Sequence, residues 1–334
     1  MNGRIAADAG ERAQLLAERA QYLIATAARA PSVHNSQPWQ FRVGPEAVEV
    51  WCDPRRRTWS DRDGREMMIS CGAALFGLRL AMRSLGFEPV VDLLPDPSRL
   101  RLLARVSPGR VLPMNPVETR MMAAVPHRHT HRGPFEATPL PAYLLPRLQN
   151  DVLLEGAELA FIPPGLRFER LTRLAMSAAR RGDLDPRARA TIRHWTRVAG
   201  RRERDGVPAT ALAVGSALRV RPGRLPQRDF DLGRSLGLLP AGGAPPAATA
   251  VLLTREDRRG DWLRAGQALY RMLLDAASEW VFASLHTQPL EDPVTRVLIP
   301  GQVGLPGHPQ MLLQLGRATI TASTARRSPD ELTS

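Results

Sequence analysis

Residues 31–39, PSVHNSQPW, hold a dense set of polar groups that could bind a small planar ligand. The two prolines fix the backbone of a short turn, and Ser32, Asn35 and Gln37 supply hydrogen-bond donors and acceptors. Free main-chain N–H groups of the turn add to them. This arrangement suits a flat heterocycle with a polar rim. The alternative is an ordinary proline-flanked turn between a helix and a strand.

Residues 127–135, HRHTHRGPF, form a second polar run with a regular alternation. In an extended segment alternate side chains share a face, so Arg128, Thr130 and Arg132 should point together and the three histidines opposite. Two guanidinium groups and a hydroxyl make a receptor for phosphate, because arginine presents a rigid fork of donors. A metal site of the three histidines is the weaker alternative, since imidazoles on one extended strand cannot easily close a tetrahedron. A solvated basic surface run is the other alternative.

Hydrophobic periodicity predicts the elements that carry these segments. A first helix is expected over residues 11–29, and it stops at Pro31 because the residue before a proline is pushed out of the helical region. A second helix, over residues 67–85, is apolar nearly all round, which is typical of a buried central helix ended by Gly86. Strands are expected at residues 48–52, 90–94 and 100–106.

The second half of the chain repeats this order in outline. GAALFGL at residues 72–78 aligns with GQALYRM at residues 266–272, and a loop and a strand follow each. The repetition favours internal duplication, with two merely similar core helices as the alternative. The predicted elements of this half are helices at residues 141–148 and 262–284 and strands at residues 159–162, 250–254 and 311–316.

Residues 166–243 have no counterpart in the first half. They begin with Arg-rich helical sequence and end in a Gly- and Pro-rich stretch, LLPAGGAPP. An insertion this long in a compact protein is typical of a lid or an interaction element, and a solvated helical pair is the alternative. The sequence thus predicts two halves, residues 1–125 and residues 126–334, with the insertion in the second.

The composition excludes several classes of function. The 334 residues include no lysine, which excludes a Walker-type phosphate loop, a Schiff-base enzyme and a pyridoxal phosphate enzyme. The net charge of +13 comes from arginines spread along the whole chain, which argues against a dedicated nucleic-acid arm. No signal peptide or membrane span is expected, and two cysteines without metal spacing suit a reducing compartment. We expect a cytoplasmic protein that binds neither nucleic acid nor membranes.

Together, the PSxHNxQPW pattern, the paired core helices and the Arg-x-Thr-x-Arg run resemble the nitroreductase-like flavoproteins, most closely their fused, single-chain Acg-type branch. The resemblance covers about residues 12–320. It implies an α+β fold of two fused pseudo-symmetric halves, with central antiparallel or mixed sheets, long buried core helices and a helical lid-like insertion. It also implies one FMN per chain, because each half carries only one of the two motifs.

The resemblance assigns the phosphate of FMN to the second motif. Arg128, Thr130 and Arg132 match the family's Arg-x-Ser-x-Arg/Lys run, which holds that phosphate. Arg317, beside the last predicted strand, is the candidate for the family's C-terminal basic contact on the same side.

The resemblance assigns the flavin ring to the first motif and to a loop after the last long helix. Gln288, Pro289 and Leu290 stand where the family's loop approaches the flavin N5 region. The ring and its pyrimidine edge are expected to lie against Pro31, Ser32, Val33, Asn35 and Gln37.

The implied activity is transfer of electrons from NADH or NADPH, through the flavin, to a nitroaromatic, quinone or similar acceptor. The flavin carries this chemistry, so no catalytic side chain is assigned. The rival is an FMN-binding or FMN-sequestering protein whose lid blocks access to the ring. Because fusion places both halves of the pocket in one chain, we expect a monomer rather than a homodimer.

Overall fold

The computed structural model describes residues 2–198, 203–212, 222–237, 243–318 and 324–333. Two antiparallel four-stranded sheets and two long central helices dominate this part of the chain. The α+β class predicted from the sequence is therefore confirmed. Within the described ranges, no helix combines the length and apolarity needed to cross a bilayer.

The first sheet is built by the first half of the sequence. Its elements and their neighbours are α1 (Asn2–Ala27), β1 (Trp39–Val43), β2 (Val48–Cys52), α2 (Arg65–Ser84), β3 (Phe87–Leu93), β4 (Leu102–Val111) and α3 (Pro116–Ala124). The strand order is β1-β2-β4-β3. Trp39 and Phe41 of β1 are fully buried with Val48 and Val50 of β2, because alternate side chains of paired strands share one face. The helices α1 and α2 pack against β1 and β2.

The second sheet is built by the second half. The elements are α4 (Leu144–Leu154), β5 (Glu158–Phe161), α5 (Leu166–Leu184), α6 (Pro186–Trp195), β6 (Thr196–Arg197), β7 (Val207–Pro208), β8 (Ala248–Thr254), α7 (Arg259–Ser278), β9 (Val281–His286), α8 (Gln288–Glu291), α9 (Pro293–Val303), β10 (His308–Arg317) and α10 (Pro329–Leu332). The strand order is β5-β8-β10-β9. Apolar side chains fill β8 on both faces, which places this strand in the core.

The two sheets follow the same path. In each, the first two strands pair, the fourth pairs with the second, and the third lies at the edge beyond the fourth. A helix of 20 residues connects the second strand to the third in both halves, α2 in one and α7 in the other. This agreement supports the predicted duplication and the division at residue 125, which we keep as a proposal.

The helices α2 and α7 cross each other at very short range. A Cβ atom at Gly72 would overlap the carbonyl oxygen of Leu263, and one at Gly266 would overlap that of Ile69. Only residues without a side chain allow two helix backbones to approach so closely. These glycines, which are the first residues of the aligned GAALFGL and GQALYRM segments, hold the two halves of the chain together.

The inserted residues 166–243 begin with two helices that lie against the end of the chain's second half. The helix α5 packs on α8 and α9, where Arg181 donates a hydrogen bond of 2.6 Å from Nη2 to Asp292 Oδ2. Farther along, Ile192, Val207 and Phe230 form a small apolar cluster of their own. The insertion is thus a packed layer over the second sheet and not an isolated arm.

Some predicted elements were wrong in their extent, and several elements, among them α3, α9 and β9, were not predicted. The helix expected over residues 262–284 ends at Ser278, and the strand β9 follows from Val281. Trp280, with φ of 55°, lies between them in the left-handed region, which ends the helix. The helix α3 had no predicted counterpart, because its short run PVETRMMAA has little amphipathic character.

The contact between α2 and α7 can be tested with one substitution. Gly266→Leu is expected to lower the free energy of unfolding by about 1–3 kcal/mol or more, because the added side chain must separate the two backbones. Denaturant unfolding followed by far-UV circular dichroism measures the change. Gly301→Ala on α9 is the matched control, since nothing lies within 4 Å of its added Cβ, and it should leave stability unchanged or slightly raised. Equal stability of the Gly266→Leu variant and the unmodified protein would contradict the packing described here.

Candidate functional site

A cleft lies between the two halves, and three parts of the chain line it. Its empty space is about 870 Å³, including the part open to solvent. The first half contributes the 31–34 turn and one side of α2, and the second half contributes the 130–132 segment, β9 and the start of α8. The insertion closes one side. The lining residues used below are Pro31, Ser32, Val33, His34, Glu66, Thr130, Arg132, Arg228, Phe230, His286, Thr287 and Gln288.

The turn at residues 31–37 enters the cleft in a strained conformation. His34, Asn35 and Gln37 have φ values of 52°, 55° and 50°, a region that residues other than glycine seldom occupy. The Gln37 N–H donates to Ser32 Oγ at 3.0 Å, which closes the turn. Such conformations cost of order 1–3 kcal/mol each and concentrate at functional sites, where the surroundings enforce them.

The amide side chains of this turn point away from the cleft. Asn35 Nδ2 donates to the carbonyl oxygens of Gly206 and Ala325, at 3.1 and 3.0 Å. Gln37 Nε2 donates to Arg204 O at 2.8 Å, and Gln37 Oε1 accepts from the Arg327 N–H at 2.9 Å. Asn35 and Gln37 therefore tie the turn to the insertion and to the C-terminal segment, while Pro31, Ser32 and Val33 face the cavity.

The Arg-x-Thr-x-Arg run is extended, as the alternation requires. Thr130 forms a bridge to Ala283 of β9, and the His131 N–H donates to Ala283 O at 2.8 Å. Thr130 and Arg132 line the cleft. Arg132 donates no hydrogen bond within the described ranges, and its guanidinium carbon lies 5.3 Å from the centre of the Phe230 ring. Burial, together with the nearby charge of Arg128, lowers the pKa of Arg132 to about 10.

Arg128 is buried near Arg132, and most of its N–H groups have no hydrogen-bond acceptor. Its Nη2 donates to Arg29 O at 3.1 Å, whereas Nε and Nη1 are buried without a hydrogen-bond partner. Burial lowers the pKa of Arg128. A second arginine, Arg326, donates from Nε to Ala28 O at 2.9 Å, and burial and the charge of Arg128 lower its pKa to about 9. Described residues place no carboxylate in ion-pair contact with either side chain, so this region favours an anion.

The histidines of the same run serve packing. His127 stacks on Trp280 with ring centres 5.1 Å apart, and Nδ1 of His129 is 3.1 Å from the carbonyl oxygen of His127. His131 Nε2 donates to Pro134 O at 2.8 Å. Nowhere in the described ranges do three histidine, cysteine or acidic side chains gather in a geometry that could hold a metal ion.

Gln288, Pro289 and Leu290 were expected near the flavin N5 region, and Arg317 was expected near the phosphate. Gln288 lines the cleft, and its Nε2 donates to Ala179 O of α5 at 3.3 Å. Pro289 and Leu290 are buried just behind it. Arg317 lies at the far end of β10, opposite Val281, and its Nη1 donates to Glu279 O at 3.2 Å. None of Arg317, Arg128 and Arg326 is among the residues that line the cleft, but Arg326 lies near Arg128, whose charge acts on Arg132 in the lining.

A cluster of charged side chains in the cleft was not predicted from the sequence. Arg228 of the insertion forms an ion pair with Glu291 of α8, and Thr287 Oγ1 donates to Glu291 Oε1 at 2.7 Å. Burial opposes ionisation of Glu291, but the guanidinium and the hydroxyl outweigh it and lower the pKa of Glu291 to about 2. Glu66 lies close by, and burial raises the pKa of its carboxyl well above the usual range. No sequence signal identifies Arg228 among the many arginines of the insertion.

Burial of uncharged histidines makes the stability of this region depend on pH. Burial lowers the pKa of His34 to about 3 and that of His286 to about 4. The unfolded chain, with histidine pKa values of about 6.5, therefore binds more protons than the folded protein between roughly pH 4 and pH 6.5. The stability that these groups contribute is complete above pH 6.5 and is lost as the pH falls through this window.

We predict that His286→Gln reduces this acid-side loss. The slope of unfolding free energy against pH between about 4.5 and 6 should fall by roughly 1 kcal/mol per pH unit, because one buried titration is removed. Chemical denaturation at a series of pH values measures the slope. His308→Gln, at an exposed histidine, is the control and should keep the original slope. An unchanged slope in the His286→Gln variant would refute the assignment.

Comparisons with known proteins bear on the family of this chain. No family model matches the chain. A Mycobacterium tuberculosis protein named "putative NAD(P)H nitroreductase" is 32% identical over 319 residues, which cover 94% of this chain and 89% of the relative. Another from the same organism, named "putative NAD(P)H nitroreductase acg", is 29% identical over 315 residues, which cover 92% of each chain.

Similar solved structures include two nitroreductases with bound FMN. The Bacteroides fragilis protein is 12% identical, with 64% of this chain and 96% of that chain covered and a TM-score of 0.37. The Desulfitobacterium hafniense protein is 10% identical, with 66% and 98% covered and a TM-score of 0.39. The identity of 32% over nearly the full length of a curated relative is much stronger evidence. It confirms the resemblance stated from the motifs: this chain belongs to the nitroreductase family.

Proposed function

We propose that the protein binds one FMN in the cleft between its halves and uses it as an NAD(P)H-dependent oxidoreductase of nitroreductase type. The main support is the set of buried, uncompensated arginines beside the cavity. An isolated buried cation is costly, and a phosphate group would supply both the missing charge and acceptors for the free N–H groups. Nε and Nη1 of Arg128 are such groups.

The residues of the chain fit the parts of the cofactor. Arg128, Thr130 and Arg132 would hold the phosphate, and Arg326 replaces Arg317 as the candidate for the C-terminal basic contact. Pro31, Ser32 and Val33 would lie against the ring and its pyrimidine edge. Gln288 would approach the N5 region, with Pro289 and Leu290 supporting its helical turn from behind.

FMN, when bound, supplies the redox chemistry, accepting a hydride from a nicotinamide and passing electrons to a nitroaromatic, quinone or similar acceptor. The side chains of the cleft bind and orient the reactants and exclude water. His34 is held neutral by burial, so it offers a ring N–H rather than an acidic proton at neutral pH. One cofactor per chain follows from the unlike halves, because the phosphate run is found only in the second and the PSVHNSQPW turn only in the first. The completed site in one chain supports a monomer.

The second candidate function is FMN sequestration with little turnover, and the insertion favours it. Phe230 lies over the cleft, with its ring centre 5.4 Å from that of His34 and 5.3 Å from the guanidinium carbon of Arg132. The ion pair of Arg228 with Glu291 fastens the same segment to α8. A layer held this firmly would limit the approach of NAD(P)H to the ring.

Steady-state oxidation of NADH and NADPH with a nitroaromatic acceptor separates the two functions. A reductase shows flavin bleaching by at least one nicotinamide under anaerobic conditions, followed by turnover when the acceptor is added. A bound flavin that neither nucleotide reduces would refute the reductase proposal and favour FMN sequestration. A purified protein that is colourless and does not bind added FMN would sink both.

If Arg128 binds the phosphate, its replacement should weaken FMN binding without lowering the stability of the cofactor-free protein. Arg128→Met should weaken FMN binding by about 10- to 100-fold, which corresponds to the loss of charged hydrogen bonds worth roughly 1.5–3 kcal/mol. The same change should leave the melting temperature of the cofactor-free protein equal or higher, because an unpaired buried charge is removed. Quenching of FMN fluorescence and thermal unfolding measure the two effects. Arg317→Met, an equal change of charge outside the cleft, should bind FMN normally.

A further inference from the structure

Glu66 places a carboxyl group in the wall of the cleft without a hydrogen-bond partner. The residue is in the first turn of α2, is 3% exposed and lines the cavity. Both Oε1 and Oε2 are buried and make no hydrogen bond within the described ranges. Its main chain is fully engaged, since the Glu66 N–H donates to Asp61 Oδ1 at 3.0 Å and its carbonyl accepts from Ser70 Oγ at 2.7 Å.

The charges around Glu66 come from four elements. On α2 itself, Arg65 Nη2 is 3.5 Å from Glu66 Oε1, but its Nη1 donates to Gln310 O at 2.8 Å. Asp61 approaches from the loop before the helix, Glu291 from α8, and Arg228 from the insertion. Arg228 forms an ion pair with Glu291, so Arg65 is the nearest cation to Glu66, and it makes no hydrogen bond to the carboxyl group.

Two buried carboxyl groups thus lie close together, and they differ in their partners: Glu66 lines the cleft, whereas Glu291 is not among the lining residues. Glu291 has a guanidinium and a hydroxyl, which keep it ionised. Glu66 accepts no hydrogen bond from the guanidinium of Arg65, which is 3.5 Å away, and burial and the charge of Glu291 both disfavour its ionised form. The dipole at the start of α2 favours a negative charge, but by less than the burial of an ion costs. Glu66 is therefore the member of the pair that holds a proton.

We propose that Glu66 is an uncharged carboxylic acid whose O–H donates a hydrogen bond to an acceptor atom on the edge of the flavin ring. This inference rests on the proposed FMN site. A buried, unpaired O–H on a residue that lines a cavity needs an acceptor from the ligand, and the carbonyl oxygens and ring nitrogens of a flavin provide it. Once ionised, the same group would present only acceptors and would repel that edge.

Replacement of Glu66 by glutamine and by leucine separates the donor from the charge. Glu66→Gln keeps an N–H donor that does not titrate, so it should bind FMN within about twofold of the unmodified protein near neutral pH. Glu66→Leu, of similar size but without a donor, should bind about five- to tenfold more weakly, as expected for one net hydrogen bond of roughly 1 kcal/mol. At alkaline pH the affinity of the unmodified protein should fall as Glu66 ionises, while that of Glu66→Gln stays constant.

Infrared difference spectroscopy provides a readout that does not depend on activity. The spectrum of the cofactor-free protein minus that of Glu66→Gln should contain the C=O stretch of a protonated carboxyl group, and addition of FMN should shift that band. Asp63→Asn, at an exposed acid before α2, is the matched control and should change neither the band nor the affinity. Thermal unfolding of each cofactor-free variant verifies that it folds.

The outcomes distinguish this inference from the function on which it rests. Equal FMN affinity of the unmodified protein and Glu66→Leu would overturn the inference and leave FMN binding intact. Markedly weaker binding by Glu66→Gln, with no protonated carboxyl band, would mean that Glu66 acts as a carboxylate and would also overturn it. Failure of the unmodified protein to bind FMN would overturn both, whatever the infrared spectrum showed.

Discussion

The near-contact of the α2 and α7 backbones is the constraint on which the rest of the structure depends. Gly72 and Gly266 let each helix press on the main chain of the other, so side chains of α7 such as Leu263 and Tyr270 join the core of the first half. The cleft lies beside these helices, and Glu66 and Ile69 of α2 and Leu269 of α7 line it. A wider crossing would move the 31–34 turn away from the 130–132 segment, and no single pocket would be shared between the halves.

The buried charges near this pocket differ between its two sides, with arginines on one side and carboxyl groups on the other. Arg128 and Arg326 are buried near Arg132 without acidic partners among the described residues, which makes this side receptive to an anion. On the other side, Arg228 forms an ion pair with Glu291, while Glu66 lines the pocket 3.5 Å from Arg65 and makes no hydrogen bond. A ligand with a dianionic tail and an uncharged, hydrogen-bonding ring satisfies both regions, and FMN is such a molecule.

The strained turn at residues 31–37 is maintained by segments that are distant in sequence. Asn35 donates to Gly206 of the insertion and to Ala325 near the C terminus, and Gln37 bonds both segments as well. These hydrogen bonds help to offset the cost of three left-handed residues, and they couple the shape of the turn to the position of the insertion. Movement of the insertion would therefore change the shape of the 31–34 turn, which lines the cleft.

The sequence by itself determined the fold class, most core elements and the two motifs that meet in the cleft. Burial periodicity and proline positions act locally, so the strand at Val48–Cys52 and the body of α2 could be read directly from the residues. The family resemblance was carried by the same local patterns. The boundary between α7 and β9 could not be read, because it depends on the left-handed conformation of Trp280, which tertiary packing enforces.

Only the tertiary structure decided which polar residues share the cavity. It turned Asn35 and Gln37 outward, left Arg317 outside the cleft lining, brought Arg228 and Glu66 into that lining and placed Arg326 near Arg128. None of Arg228, Glu66 and Arg326 lies in a recognisable motif, since an arginine in an arginine-rich chain and a glutamate in a first helical turn are ordinary in sequence. Their significance comes from burial and from their neighbours, which are properties of the folded chain alone.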